Sequence, residues 1–299
     1  MRARGAGAGN GMQKVDMTDR ARVGGVLEHS NQRKEVAMRK NAWLALGLGL
    51  ALVSGRAAVA DVWDVQTQND NTSATENELV HGSDQLHDLG VLAGNQPDQD
   101  WYALSQKPFS SYEIVADSTS GDIGQTLGLD RMPAAGTTAI QTSVAVGVGY
   151  TRSLRWMNST AAEVNNEFIR VMSAGCTTNC GTDDVYRIRA AETTFSVPRF
   201  NNFGSQITVL LLQNPTNYTI NGTIYFWSTA GVQVGSQTFS LTSKQLSVLN
   251  TSTVPGANGV GGAVTIAHDG RYGDLSGKTV ALEPATGFSF DSPMLPRVH

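Results

Sequence analysis

A chain of 299 residues with 22 Lys and Arg against 26 Asp and Glu carries a net charge of −4, and only 16% of its residues are charged. The balance is lopsided: residues 1–60 hold 10 basic and 4 acidic residues, leaving 12 and 22, a net of −10, in residues 61–299. Such an excess repels phosphate backbones, so nucleic acid is excluded as a partner.

Residues 1–37 are rich in Gly and Arg and show no hydrophobic period. They precede an export signal with its own methionine: Met38, the basic Arg39 and Lys40, an apolar run at 42–54, and the A-x-A site Ala58-Val59-Ala60. That arrangement predicts cleavage after Ala60 and an extracellular or periplasmic location. The apolar run is short for a bilayer span and no second one follows, so stable membrane insertion is not expected. Translation from Met38 is the simplest account of residues 1–37, and a discarded extension is the alternative. In either case residues 38–60 are a signal peptide and take no part in the fold.

The remainder reads as β. Runs rich in Val, Ile, Thr and aromatics at 101–104, 111–116, 168–171, 185–190, 206–212, 219–227, 237–241, 263–267 and 278–282 predict strands. Turn signals stand at Asn221-Gly222, Ala257-Asn258-Gly259 and Asp269-Gly270. Only residues 159–168 have a helix-like pattern, and the segment is short. Many short strands with frequent turns predict an all-β chain: two consecutive antiparallel β-sandwich domains, 61–194 and 195–299, after a cleaved signal peptide. Charge supports two domains. From Asp61 to Asp130 there are 13 carboxylates against Lys107, with Arg131 just beyond, while the C-terminal part is close to balanced. The acidic part is where a cation site would lie.

Cys176 and Cys180, as CTTNC, are expected to be oxidised in an exported protein. A metal site would need two further ligands, no His is near in sequence, and C-x3-C is not a redox spacing. The pair therefore reads as a staple on a hairpin loop, with the strands around Phe168 and Tyr186 pairing across it. That hairpin carries the first domain through Ala191. Ser196-Val197-Pro198-Arg199 then reads as a linker, because proline cannot donate a ladder hydrogen bond.

The segments TENE (75–78) and GNQPDQDWYALS (94–105) combine an acidic-Asn pair, a Gly turn and a D-x-D-aromatic-aromatic entry into a strand. This pattern resembles bacterial pre-peptidase C-terminal domains, secreted jelly-roll-like sandwiches appended to exported proteases and other enzymes. The resemblance covers roughly residues 61–194. It implies calcium held by Glu76, Asn77, Asp98 and Asp100, oxygen ligands of the kind the ion prefers. The chain departs from the family in reading E-N-E where richer E-x-N-N/D runs occur. By themselves the residues equally describe a tight turn in which Asp98 and Asp100 bond the backbone.

The second domain opens with FNNFGSQITVLLLQNPTNYTINGTIYFWSTAG and looks like an immunoglobulin-type or adhesion-type module. Tyr225 and Trp227 share one face of a strand, and Ile224 and Phe226 share the other. Two apolar faces imply a strand covered on both sides, or an open Tyr225–Trp227 platform for a ligand such as a sugar.

Enzyme-like strings fail inspection. GDLSGKT (273–279) is one residue short of a phosphate loop and leads into a strand. GANGVGGAV lacks the dinucleotide spacing, and no G-x-S-x-G elbow occurs. His81 and His87 show no metal-binding pattern and read as surface residues. Asn71, Asn158, Asn217, Asn221 and Asn250 begin N-x-[ST] patterns that matter only in a host that glycosylates them. The expectation is a secreted, non-catalytic protein acting in surface attachment or ligand binding, its partner an extracellular polymer or cell-surface component. One alternative is a hydrolase with Asp269, Asp274 and Glu283 converging in a pocket. The other is a structural envelope component.

Overall fold

The computed structural model describes Trp63 and residues 70–92, 96–145, 151–174, 176 and 180–298. The extension 1–37 and the export signal 38–60 lie outside these described residues. The first strands are β1 (Asp84–Asp88), β2 (Val91–Leu92), β3 (Gln96–Pro97), β4 (Gln99–Ala103), β5 (Ser110–Ser118), β6 (Leu127–Pro133), β7 (Gln141–Thr142), β8 (Val144–Ala145), β9 (Arg152–Asn158), β10 (Glu167–Ser173) and β11 (Val185–Glu192). There follow β12 (Phe195–Asn201), β13 (Ile207–Gln213), β14 (Ile220–Ser228), β15 (Gln233–Leu241), β16 (Leu246–Asn250), β17 (Gly261–His268), β18 (Ser276–Glu283), β19 (Phe288–Pro293) and β20 (Leu295–Pro296).

Apart from the small β2–β3 ribbon, these strands make four antiparallel sheets. Their orders are β1-β11-β5-β9-β8 with β4-β10-β6-β7, and β15-β14-β17-β12-β20 with β16-β13-β18-β19. The chain is an all-β protein of two sandwiches. Each has its own core, because alternate residues of its inner strands turn inward. In β11 the inward set is Tyr186, Ile188 and Ala190, while Arg187 and Arg189 face out and pair with Asp84 and Asp117. In β13 the inward set is Thr208, Leu210 and Leu212. The first core gathers Tyr102, Ile114, Leu129, Leu154 and Tyr186; the second gathers Phe200, Leu210, Ile224, Phe226 and Ile266.

Several local expectations are corrected. Strands β10 and β11 do not pair across the disulfide: β10 pairs with β4 and β6, and β11 with β1 and β5. The loop holding the Cys176–Cys180 disulfide therefore crosses from one sheet of the sandwich to the other, and Cys176 is buried in the first core. The supposed linker at 196–199 is strand β12, next to the edge of its sheet. Its pairing with β17 skips between Val197 and Phe200, so Pro198 occupies a bulge where no ladder donor is needed.

Asn221-Gly222 is no turn; both lie in β14. A Cβ at Gly222 would stand 2.4 Å from the Ala267 carbonyl and 2.5 Å from the Phe239 ring. Close approach of neighbours, not a bend, requires the glycine. Residues 159–166 form no helix. Asn158 organises them instead: its amide donates to the Gln106, Lys107 and Ala162 carbonyls, and its oxygen accepts from Thr160. This Asn is buried with its side-chain nitrogen engaged, so its N-x-T pattern is a structural brace.

Candidate functional site

The four residues matched to a calcium site differ in their surroundings. Glu76 is exposed, whereas Asn77, Asp98 and Asp100 are buried. Asp98 accepts the backbone N–H groups of Gly90 (3.2 Å) and Gln99 (2.9 Å), the turn chemistry that its sequence also allowed. Asp100, two residues on, accepts the Tyr186 hydroxyl, which in turn bonds the Tyr102 hydroxyl. Burial, and then the Asp100 charge, hold the Tyr186 phenol well above its ordinary pKa, so it stays a donor. Among the described residues no three of His, Cys, Asp or Glu are grouped to hold a metal ion.

His87 is not a surface residue. Strand β1 turns it inward, where it meets Tyr186 at 5.8 Å and Tyr102 at 5.2 Å between ring centroids, while Leu86 faces solvent. Its Nε2 lies 2.9 Å from Gln85 Oε1, and Asp70 stands 3.9 Å from its Nδ1. His81 is half-buried; its Nδ1 accepts the Glu192 N–H at 3.0 Å. These two histidines therefore serve the fold's polar interior and the margin of the first sandwich.

Tyr225 and Trp227 do share a face, and β14 is covered on both sides. The cover is Phe109 of the first sandwich, whose ring stands 4.8 Å from Tyr225 and 5.1 Å from Trp227. Phe109 reaches them from a left-handed backbone (φ 51°) that a β-rich sequence does not announce. Tyr225 is thereby buried, so the open two-ring platform is not present. Polar contacts close the same seam. Arg297 forms an ion pair with Glu192 at 2.5 Å and donates to the Pro108 carbonyl, and Tyr272 N–H donates to Glu113. Burial raises the Glu113 pKa. His268 Nε2 donates to the Thr193 carbonyl while its Nδ1 accepts the Gly270 N–H. That is the neutral imidazole, and burial lowers its pKa to about 4.

Trp227 is only half-buried, and its remaining surface opens on a groove of about 600 Å3 on the second sandwich. Its indole N–H donates to Thr265 at 3.0 Å, which fixes the ring. Opposite stands Phe203, 58% exposed on the turn after β12, with Arg199 from the bulge at one side. The floor is Gly261 and Gly262. A Cβ at Gly262 would fall 1.8 Å from the Trp227 carbonyl, and one at Gly261 would meet the Phe203 ring at 3.3 Å. Two aromatic walls and a backbone floor make an open cleft that Asn201, Ser228 and Thr229 also line, and the Arg199 guanidinium at its side lies over the Phe290 ring, 5.1 Å from its centre. Residues 199 and 203 were missed from sequence because one lay in a supposed linker and the other in an unremarkable turn.

The three carboxylates proposed for hydrolysis do not converge. Asp269 bonds Asn221, Asp274 bonds Tyr218, and Glu283, at the far end of the eight-residue β18, bonds Ser205. That Ser205 bond lowers the Glu283 pKa, the opposite of what a general acid needs.

No protein-family model matches the chain, and no curated protein matches it. Among solved structures it is similar to the pre-peptidase C-terminal domain of a collagenase from Bacillus anthracis, at 10% identity and a TM-score of 0.28, over 38% of this chain and 92% of that one. It is also similar to a β-glucuronidase from Bacteroides uniformis, at 10% identity and a TM-score of 0.18, over 67% of this chain and 26% of that one. A glycoside hydrolase family 2 β-glucuronidase gives 12% identity and a TM-score of 0.17, over 78% and 26%. The chain thus spans about a quarter of the glucuronidases' length. At these scores none of the likenesses transfers a fold assignment or an activity. No helix of the described residues is long and apolar enough to cross a membrane.

Proposed function

We propose that this protein is a secreted, non-catalytic attachment module that holds an extracellular polymer, a polysaccharide in the first instance, in the groove between Phe203 and Trp227. The groove itself carries the reading. Its two aromatic faces match the apolar C–H faces of sugar rings, and Arg199 supplies several N–H donors for hydroxyl oxygens. The floor is backbone and small side chains, which lets a long chain pass through without ending there. The export signal expected at residues 38–60 supports this reading, since such polymers lie outside the cytoplasm.

The test is retention of the protein on insoluble cellulose, chitin, peptidoglycan and collagen, with calcium and with EGTA. Retention on one polymer is expected, lost in Phe203→Ala and weakened in Arg199→Ala, and unchanged by EGTA. Absence of retention on all four, or equal retention of Phe203→Ala, would overturn the assignment to this groove.

A further inference from the structure

The Phe203–Trp227 groove leads to a second aromatic cleft. It crosses three neighbouring strands of one sheet, from Trp227 on β14 over Gly261, Gly262 and Ala263 on β17 to Arg199 on β12. Adjacent strands stand about 4.8 Å apart, so this path is about 10 Å long. Strand β20 pairs with β12 only at Phe195 and Ser196, and among the described residues no strand extends the sheet beyond Arg199. What stands there instead is Phe290 of β19, from the opposite sheet, its ring centre 5.1 Å from the Arg199 guanidinium.

Phe290 and Phe288 lie two residues apart on β19 and so share a face. They wall a cleft of about 290 Å3 whose margin carries Gln206, Glu283 and Thr286. Phe288 is 77% exposed, and Phe290 is 41% exposed although Arg199 covers part of it. The turn after β12 joins the two clefts: Phe203 walls the first, Gln206 lines the second, and the Gln206 N–H donates to the Phe203 carbonyl at 3.0 Å. Arg199 joins them a second time. The Phe290 ring holds its guanidinium in place, while among the described residues its side-chain N–H groups have no hydrogen-bond or ion-pair partner.

We propose that the Phe288–Phe290 cleft is a second subsite for the same glycan chain, resting on the groove reading, and that the chain is a neutral one. Continuity selects the occupant. A chain that crosses the groove from Trp227 reaches Arg199, and beyond Arg199 it meets the two rings of β19. Both clefts offer the same chemistry: aromatic faces for the C–H faces of sugar rings, and polar side chains at the margin for hydroxyls. Burial against a sugar also takes the exposed Phe288 ring out of water. Charge selects the glycan. Residues 61–299 carry a net of −10, which repels an acidic polymer and leaves a neutral one unaffected.

Two subsites make affinity depend on chain length. A hexasaccharide is long enough to lie over both clefts and a disaccharide is not, so calorimetric titration with the dimers and hexamers of cellulose and of chitin is the test. For one of the two series the parent protein is expected to bind the hexamer about tenfold more tightly than the dimer. In Phe288→Ala that ratio should fall to about one, and Phe288→Tyr should keep it; far-UV circular dichroism checks that each variant is folded. Phe203→Ala should weaken both lengths, which separates the first cleft from the second. Equal affinity of the parent for both lengths, or an unchanged ratio in Phe288→Ala, would overturn the second subsite and leave the groove standing. A parent protein that binds neither hexamer but is retained on peptidoglycan would overturn the neutral glycan alone with its subsite, and one retained on no polymer would overturn the groove as well.

Discussion

The two sandwiches use one device in common and differ in what they bury. Asn158, ending β9, and Asn214, following β13, occupy the same local network. Each side-chain amide nitrogen donates to three carbonyls, at Gln106, Lys107 and Ala162 in one case and at Tyr218, Leu241 and Thr242 in the other. Each oxygen accepts the N–H and hydroxyl of the Thr two residues later. Beyond this the interiors diverge. The first sandwich buries Asp98, Asp100, Asp130, Asp184 and Glu192, while the second buries mainly hydroxyls and amides, with His268 at the seam. A buried carboxylate must keep its donors, so the first interior is tied together by specific bonds, and the second by apolar contact. The same absence of charge extends to two of its sheet edges, β15 and β16, which hold neither charge nor proline.

The shared brace can be broken in each sandwich separately. Asn214→Ala or Asn158→Ala removes one group from three carbonyls, and each is expected to cost about 4 kcal/mol in chemical denaturation. A loss in one variant but not the other would show that the two networks are not equivalent. The next largest effect concerns pH. The folded pKa of His268 is lowered to about 4 from 6.5, so below 6.5 the unfolded chain binds a proton that the folded chain refuses. Stability from this group is full above pH 6.5 and falls by about 3 kcal/mol as pH drops to 4. Glu113 runs the other way: its raised pKa favours the fold below 4.5, and that advantage fades as pH rises through the folded value. Thermal melts of His268→Gln against the parent, across pH 4 to 7, isolate the histidine share; parallel curves would remove it.

A smaller difference sits in the disulfide, which only the first sandwich has. Its loop is short, so Cys176→Ser with Cys180→Ser should cost about 2 kcal/mol by chain entropy. Limited proteolysis should then cut first near residue 180. Smallest is the surface pair of Lys278 and Asp291, both about half exposed on the second sandwich. Lys278→Ala should change stability by about 0.5 kcal/mol or less, an effect that disappears in high salt. A large loss there would mean that surface charge supports the second sandwich after all.

Much of the fold was legible. All nine predicted strands are present, because Ile, Val, Thr and aromatic runs between Gly and Asn clusters describe a pleated, half-buried surface wherever it lies. Among the strands of five or more residues that escaped notice are β6, β9, β12 and β16. They mix Arg, Pro, Gly or Ser into their inward and outward positions, and their apolar alternation is faint. Of the candidate site, Trp227 was visible as an aromatic strand residue. Phe203 and Arg199 were not, since nothing in a turn phenylalanine or a Pro-Arg pair says that both will face a Gly-Gly floor 60 residues away.

By itself the sequence determined the β character, the acidic balance of residues 61–299 and the closure of Cys176 to Cys180. These follow from local chemistry: residue type, spacing, and a pair of thiols close enough to meet. Only the tertiary structure decided that the disulfide loop spans two sheets, that Pro198 lies in a strand, and that Phe109 closes the Tyr225–Trp227 face. Which sheet a strand joins depends on partners far along the chain, and which aromatic face stays open depends on what a second sandwich lays over it.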